Sequence, residues 1–143
     1  MNIELRTFDG PRDWGWCNLQ VGIKRCEDTT GIVAVDLDTN KTIGACVMDN
    51  WTGNSVQCHL MLTTPILLRH NFLECCFDFM FNTMGVNRIY GLVPANNEKA
   101  VKLNTHMGFT VKSRLEEAFE VGIVYLLMEM KRENCSFVAQ AGG

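Results

Sequence analysis

The chain has 143 residues, 47% of them apolar and 20% charged, with a formal net charge of −3. That length fits one domain around a single core, and the balance of apolar and charged residues is that of a globular protein rather than a disordered one. The acidic sign, with Lys and Arg only in pairs such as Lys24-Arg25 and Lys131-Arg132, argues against nucleic acid, whose recognition needs a basic patch.

Asn2–Phe8 reads as a first strand, followed by the turn Asp9-Gly10-Pro11. No signal peptide is expected there, because charge comes early and no apolar stretch follows. Trp16, Leu19, Ile23 and Cys26 recur near helical spacing and predict a helix over Arg12–Cys26, despite Gly15 and Gly22. Ile32–Leu37 is a short apolar strand, and Asp38–Lys41 is hairpin-turn chemistry. Thr42–Trp51, the turn Thr52-Gly53-Asn54 and the strand Ser55–Leu62 complete two hairpins in an antiparallel meander. Leu67–Met84 is the clearest helix, with Phe72, Leu73, Cys76, Phe77, Met80, Phe81 and Met84 on one face, and Gly85 ends it. Arg88–Val93 is a strand stopped by Pro94. Asn96 or Asn97 caps a helix whose apolar face is Ala100, Leu103 and Met107; Gly108 closes it and Phe109 follows as an anchor. Phe109–Leu115 and Val121–Met130 are two more strands around Glu116-Glu117. Residues 1–134 form one domain on this reading, and 135–143 a tail. The apolar run Val121–Met128 is far short of the ~20 residues a membrane helix needs.

Seven cysteines show no C-x-x-C pair and no zinc-site spacing, so no metal is expected. They read as reduced thiols of a cytoplasmic protein, packed as small hydrophobes. Cys58 and His59 are neighbours on one strand and point to opposite faces, which excludes a nucleophilic dyad. Cys75-Cys76 lies on an apolar helix with no base near it in sequence. The methionines fall on apolar faces and read as core. Trp51 reads as core or as the wall of a pocket. Lys99, Lys102, Glu116, Glu117 and Glu120 read as solvated.

The order β-α-β-β-β-α-β-α-β-β resembles the GNAT superfamily of acetyl-CoA-dependent N-acetyltransferases. So does the unit Gly85–Phe109: a strand, an Asn-opened helix with an Ala three residues on, and a Gly-Phe stop. The resemblance implies an α+β fold with a mixed, mostly antiparallel central sheet flanked by helices. It also implies acetyl-CoA as cosubstrate, direct attack by a primary amine, and a notch between the third meander strand and Arg88–Val93. His59 would be the general base, with an unperturbed pKa of ~6.5 suited to the task. Backbone N–H groups around Leu60, Met61 and Leu62 would meet the oxyanion. Arg69 would assist a helix N-terminus in holding pyrophosphate, Asn97 would lie near the coenzyme, and Asn104 stands where many members carry a Tyr acid. His59, Arg69 and Gly85/Arg88 further resemble small phage and bacterial members related to ribosomal-protein N-terminal acetyltransferases. Such a protein would act on a small-molecule or protein amine in the cytoplasm, or the host cytoplasm if phage-encoded. The apolar strand Val121–Met130 permits a homodimer.

The chain departs from the family pattern twice. Thr63–Phe72 contains no glycine where the family has a Gly-rich phosphate turn, and Asn104 cannot protonate a thiolate. These departures favour a second reading: a GNAT-fold structural, virion-associated or host-protein-binding component without catalysis.

Overall fold

The computed structural model describes residues 2–20 and 29–137. Strand β1 (Ile3–Thr7) leads into helix α1 (Gly10–Gln20). The helix starts two residues before the expected Arg12, and the part of the expectation over residues 21–26 lies outside the described residues. The meander is β2 (Thr30–Asp36), β3 (Lys41–Asp49) and β4 (Ser55–Leu62). Its first turn closes through Asn40 in the left-handed region (φ 56°), a conformation Asn tolerates better than most residues. Strand β3 ends at Asp49, two residues short of the expected Trp51. Trp51 is 48% exposed in the following loop and belongs neither to a strand nor to the core.

The expected helix Leu67–Met84 is broken. Pro65–Arg69 is a single 3₁₀ turn, opened by Thr64, whose side-chain oxygen accepts from the Ile66 N–H. Asn71 then adopts φ 57°, and α2 begins only at Phe72, runs to Asp78 and widens into a π-type turn over Phe79–Thr83. The apolar periodicity was read correctly from Phe72 onward. The residues before it follow a different demand: Leu67 is fully buried and inserts above Gly44. A Cβ at position 44 would lie 2.4 Å from its Cδ1, so the glycine opens the socket that Leu67 fills.

Strand β5 (Arg88–Pro94), helix α3 (Glu98–Met107), β6 (Thr110–Glu116) and β7 (Val124–Lys131) complete the chain of elements. Asn97 caps α3 by accepting from the Ala100 N–H at 3.2 Å. Gly108 ends it at φ 122°, where a Cβ would meet the Asn134 carbonyl oxygen at 2.4 Å. The seven strands form one sheet in the order β1-β2-β3-β4-β5-β7-β6. Every neighbouring pair is antiparallel except β4–β5, which is parallel. The alternation of side chains along the strands divides the core in two. One face carries Cys46, Met48, Val56, Ile89 and Met128 against α2 and α3; the other carries Val33, Val35, Ala45, Val47 and Met61 against α1. Cys135 is buried and Phe137 stacks on Phe77 at 5.6 Å, so the chain after β7 returns to the first of these layers.

Helix α1 is short and contains two glycines, so tertiary contacts must hold it. Asp13, 3% exposed, accepts both guanidinium nitrogens of Arg6 on β1 (2.7 and 2.5 Å) and the Asp9 N–H at 2.8 Å. Burial alone would push the Asp13 carboxyl up, but these hydrogen bonds and the Arg6 charge outweigh it and hold it below the usual range. A depressed folded-state value contributes stability above the unfolded pKa of ~3.9 and loses it as pH falls through the folded value. Asp13→Asn should therefore cost about 2 kcal/mol near neutrality. In thermal melts the gap between variant and wild type should narrow as pH is lowered below the unfolded-state value and through the depressed folded one.

Candidate functional site

The sheet is two half-sheets joined at one seam. Strand β4 pairs with β3 from Asp49↔Gln57 to Gly44↔Leu62, and β5 pairs with β7 from Arg88↔Lys131 to Pro94↔Tyr125. Between β4 and β5, only Ser55↔Arg88, Val56↔Ile89 and Gln57↔Tyr90 pair. Beyond Gln57 and Tyr90 the strands part, leaving the facing edges of 58–62 and 91–94 without each other as partners. Helix α3 lies against the gap, and the space enclosed is a cavity of about 390 Å³. Small-molecule sites commonly occupy roughly 300–1,000 Å³.

The two sides of this wedge differ in chemistry. Toward α2 and α3 it is apolar, lined by Cys46, Cys58, Leu60, Phe77, Leu103, Met107 and Phe109. Toward the α1 face, the pairing register sets Asp49, Gln57, Tyr90 and Glu129 in one row across β3, β4, β5 and β7. The Tyr90 hydroxyl donates to Glu129 Oε2 at 2.7 Å, and Lys112 Nζ lies 3.9 Å from Oε1. The hydrogen bond to Glu129, and then burial, raise the Tyr90 phenol above its ordinary value. His59 sits one step up β4 from this row, lines the cavity, and places Nε2 3.1 Å from Asp49 Oδ2. It is the residue common to the apolar wedge and the polar row.

Of the residues singled out in the sequence, His59, Leu60, Asn97 and Asn104 line the cavity together with Leu62. Met61 does not: it turns to the α1 face and is buried beside Val47. Asn104 Nδ2 donates to Met128 Sδ at 3.7 Å. Arg69 is exposed at the end of the 3₁₀ turn and is not part of the cavity wall. Lys99, expected to be solvated, is exposed but lines the cavity mouth; Lys102 does not. In place of a glycine-rich turn, the link from β4 to α2 uses several of its own N–H groups. Ile66 N–H goes to Thr64 Oγ1, Leu67 N–H to Thr64 O and His70 N–H to Leu67 O.

Sequence reasoning missed Asp49, Tyr90 and Glu129. Glu129 had a signal: it is the one acid inside the apolar run Val124–Met130, and a charge embedded in a buried strand points to a partner. Asp49 needed the register. It faces Gln57 only once the turn between β3 and β4 is counted correctly.

No protein-family model matches the chain, and no curated protein matches it. Solved structures do match in fold. The spermidine N-acetyltransferase SpeG of Vibrio cholerae in complex with CoA and spermine is 16% identical, over 92% of this chain and 96% of its own, with a TM-score of 0.72. A mutant of the same protein aligns over 97% and 98% with a TM-score of 0.76 at 15% identity. The manganese-bound spermidine/spermine N-acetyltransferase SpeG aligns over 90% and 92%, again with a TM-score of 0.72 at 16% identity. The α+β architecture with a mixed, mostly antiparallel sheet is thus the fold of these N-acetyltransferases.

The six described cysteines are free thiols. For Cys58, a hydrogen bond with Cys46 and burial raise the thiol well above its ordinary value. For Cys46, the bond from Cys58 lowers it, but the bond to Cys76 and burial prevail and it too is raised. Burial, then the Asp13 charge, pushes Cys17 up to about 11. Thiolate is the reactive form. Iodoacetamide at neutral pH should leave Cys17 and Cys46 unmodified in the folded protein and label them once guanidinium unfolds it, as read by peptide mass spectrometry.

Proposed function

We propose that the protein is an N-acetyltransferase that moves an acetyl group from acetyl-CoA to a cationic amine. The observation that carries this reading is the parted β4–β5 seam with His59 at the junction of its apolar and polar sides. A thioester with its pantetheine arm suits the apolar side. The arm's amides can pair with the free strand edges as an added strand would, and the nucleotide would lie at the mouth near Lys99 and Asn97. Met61 pairs toward Ala45 of β3, so the N–H groups on the open edge that would meet the oxyanion are those of Leu60 and Leu62.

The amine would approach across the α1 face. An amine with pKa ~10.4 is only about 0.04% neutral at pH 7, so a base is needed, and His59 takes that role. Nitrogen attacks the thioester carbon, the C–S bond breaks and the amine proton leaves through His59. The buried carboxylates Asp49 and Glu129 on that face favour a cationic acceptor. The structural neighbours named above act on polyamines, which makes a polyamine the first acceptor to try. A protein N-terminal amine, suggested by the resemblance to ribosomal-protein acetyltransferases, has no counterpart among those neighbours and is the second. β7, the strand expected to permit a homodimer, has both edges taken by β5 and β6, so a homodimer would form along the free edge of β6 instead; a cytoplasmic setting in which the thiols stay reduced completes this reading.

The second reading, a fold without catalysis, draws on the occupied N–H groups of the β4–α2 link and on Asn104 bonded to Met128. Calorimetry with acetyl-CoA, followed by an acetyl-transfer assay over spermidine, spermine and an N-terminal peptide, separates the two. Micromolar binding with turnover on at least one amine is expected, and His59→Ala should lower kcat by about 10²–10⁴-fold while acetyl-CoA affinity holds. No binding up to millimolar acetyl-CoA would leave the second reading standing.

A further inference from the structure

We infer that Asp49 is a positioning residue that holds His59 in one tautomer and balances the charge it gains during transfer, an inference that rests on the acetyltransferase reading above. Asp49 is 8% exposed. Its Oδ2 contacts His59 Nε2 at 3.1 Å, and its Oδ1 is buried with no hydrogen-bond partner among the described residues. It caps no helix and accepts no backbone N–H among the hydrogen bonds of the described residues. A buried carboxylate with a single partner costs stability, and an apolar residue would pack better. Its own strand shows the alternative, since Val47 and Ala45 stand on the same face, buried and apolar. The carboxylate is therefore not kept for folding, and among the described residues the group it serves is the imidazole.

An acceptor on Nε2 fixes the ring. The proton sits on Nε2 and is donated to Asp49, which leaves Nδ1 as the basic nitrogen. Nδ1 makes no hydrogen bond among the described residues. It is thus free to meet an amine, directly or through one water. The steps balance as follows. The cationic amine first gives one proton to solvent water; the N–H proton of the neutral amine then passes to Nδ1 as nitrogen bonds to the thioester carbon, giving an imidazolium opposed by the Asp49 carboxylate. The C–S bond then breaks with its electron pair on sulfur, and the Nδ1 proton goes to that thiolate. One imidazole serves as base and acid in turn, which supplies the donor that Asn104 cannot be.

The test joins two readouts on the full chain. Nitrogen-15 shifts of the His59 ring at neutral pH report the tautomer without any need for activity. The protonated Nε2 form is expected in wild type, and a mixture of tautomers in Asp49→Ala. In the transfer assay, Asp49→Asn and Asp49→Ala should lower kcat about a hundredfold, with acetyl-CoA affinity unchanged and thermal stability unchanged or raised. A structural carboxylate would do the reverse, with melting temperature and acetyl-CoA affinity falling together. Protonated Nδ1 in wild type, a tautomer indifferent to Asp49→Ala, or wild-type kcat in both variants would overturn the inference. Failure of wild type to bind acetyl-CoA would instead overturn the acetyltransferase reading and, with it, the catalytic half of this one, while the ring shifts still decide the positioning half.

Discussion

Three residue pairs join the two halves of this sheet, and the site depends on there being no more. Each strand at the seam is fully committed on its outer side, β4 to β3 and β5 to β7. Ser55–Gln57 with Arg88–Tyr90 is the stretch where the two half-sheets share one ladder. Past it, Phe109, Leu103 and Met107 fill one side of the widening gap from α3 and its exit. Pro94 at the end of β5 removes a donor that a longer ladder would need. The result is two strand edges inside a folded domain that do not pair with each other. Such groups cost free energy unless something extended and amide-bearing, or water, satisfies them.

The same seam sets the electrostatics. Side-chain alternation sends Val56, Cys58 and Ile89 toward α2 and α3, and Gln57, His59 and Tyr90 toward α1 with Met61 as an apolar neighbour, so the wedge separates a dry side from a more polar one. The polar row is expensive. Glu129 is nearly buried and leans on Tyr90 and Lys112, and among the described residues Asp49 leans on His59 alone. Arg6–Asp13 shows how the same protein treats a buried carboxylate kept for folding. That carboxylate has two guanidinium contacts and a backbone N–H, with both oxygens in use. The contrast in hydrogen bonding, rather than the charges themselves, separates a structural acid from one held for chemistry.

Most of the fold was legible because its elements are locally consistent. The meander followed from turn residues at 38–41 and 52–54, and α3 from an Asn cap, a three-residue apolar face and a Gly stop, all found where expected. The failures have a common cause. Leu67 looked like the first turn of a long amphipathic helix because its apolar spacing fits one. Its real partner is the hole above Gly44, a contact across more than twenty residues that no periodicity reports. Trp51 looked like strand or pocket wall, and the chain turns before reaching it. At the site, His59 and Asn97 were found because their residue types carry chemistry or capping on their own. Asp49 and Tyr90 take their meaning from register, which emerges only when strands are paired.

On the proposed acetyltransferase reading, the glycine-free β4–α2 link and Asn104, which stands where the resembled family often carries a Tyr, both bear on how a coenzyme would be handled, and the structure treats them differently. The β4–α2 link is tied down by Leu67 and by its own hydrogen bonds. Phosphate affinity must then come from elsewhere along the mouth, where Lys99 is the nearest cation on the wall. A single lysine is a point charge on a flexible stem, without the preorganised ring of N–H donors a glycine loop provides. Affinity would shift from the nucleotide end toward the pantetheine arm and its free strand edges. The missing acid is a lesser matter. An ordinary thiol with pKa near ~8.5 leaves tolerably at neutral pH, and a proton carried on His59 would be delivered from the opposite side of the wedge. On the proposed reading, the polar row rather than α3 is then the part of the site on which turnover would depend.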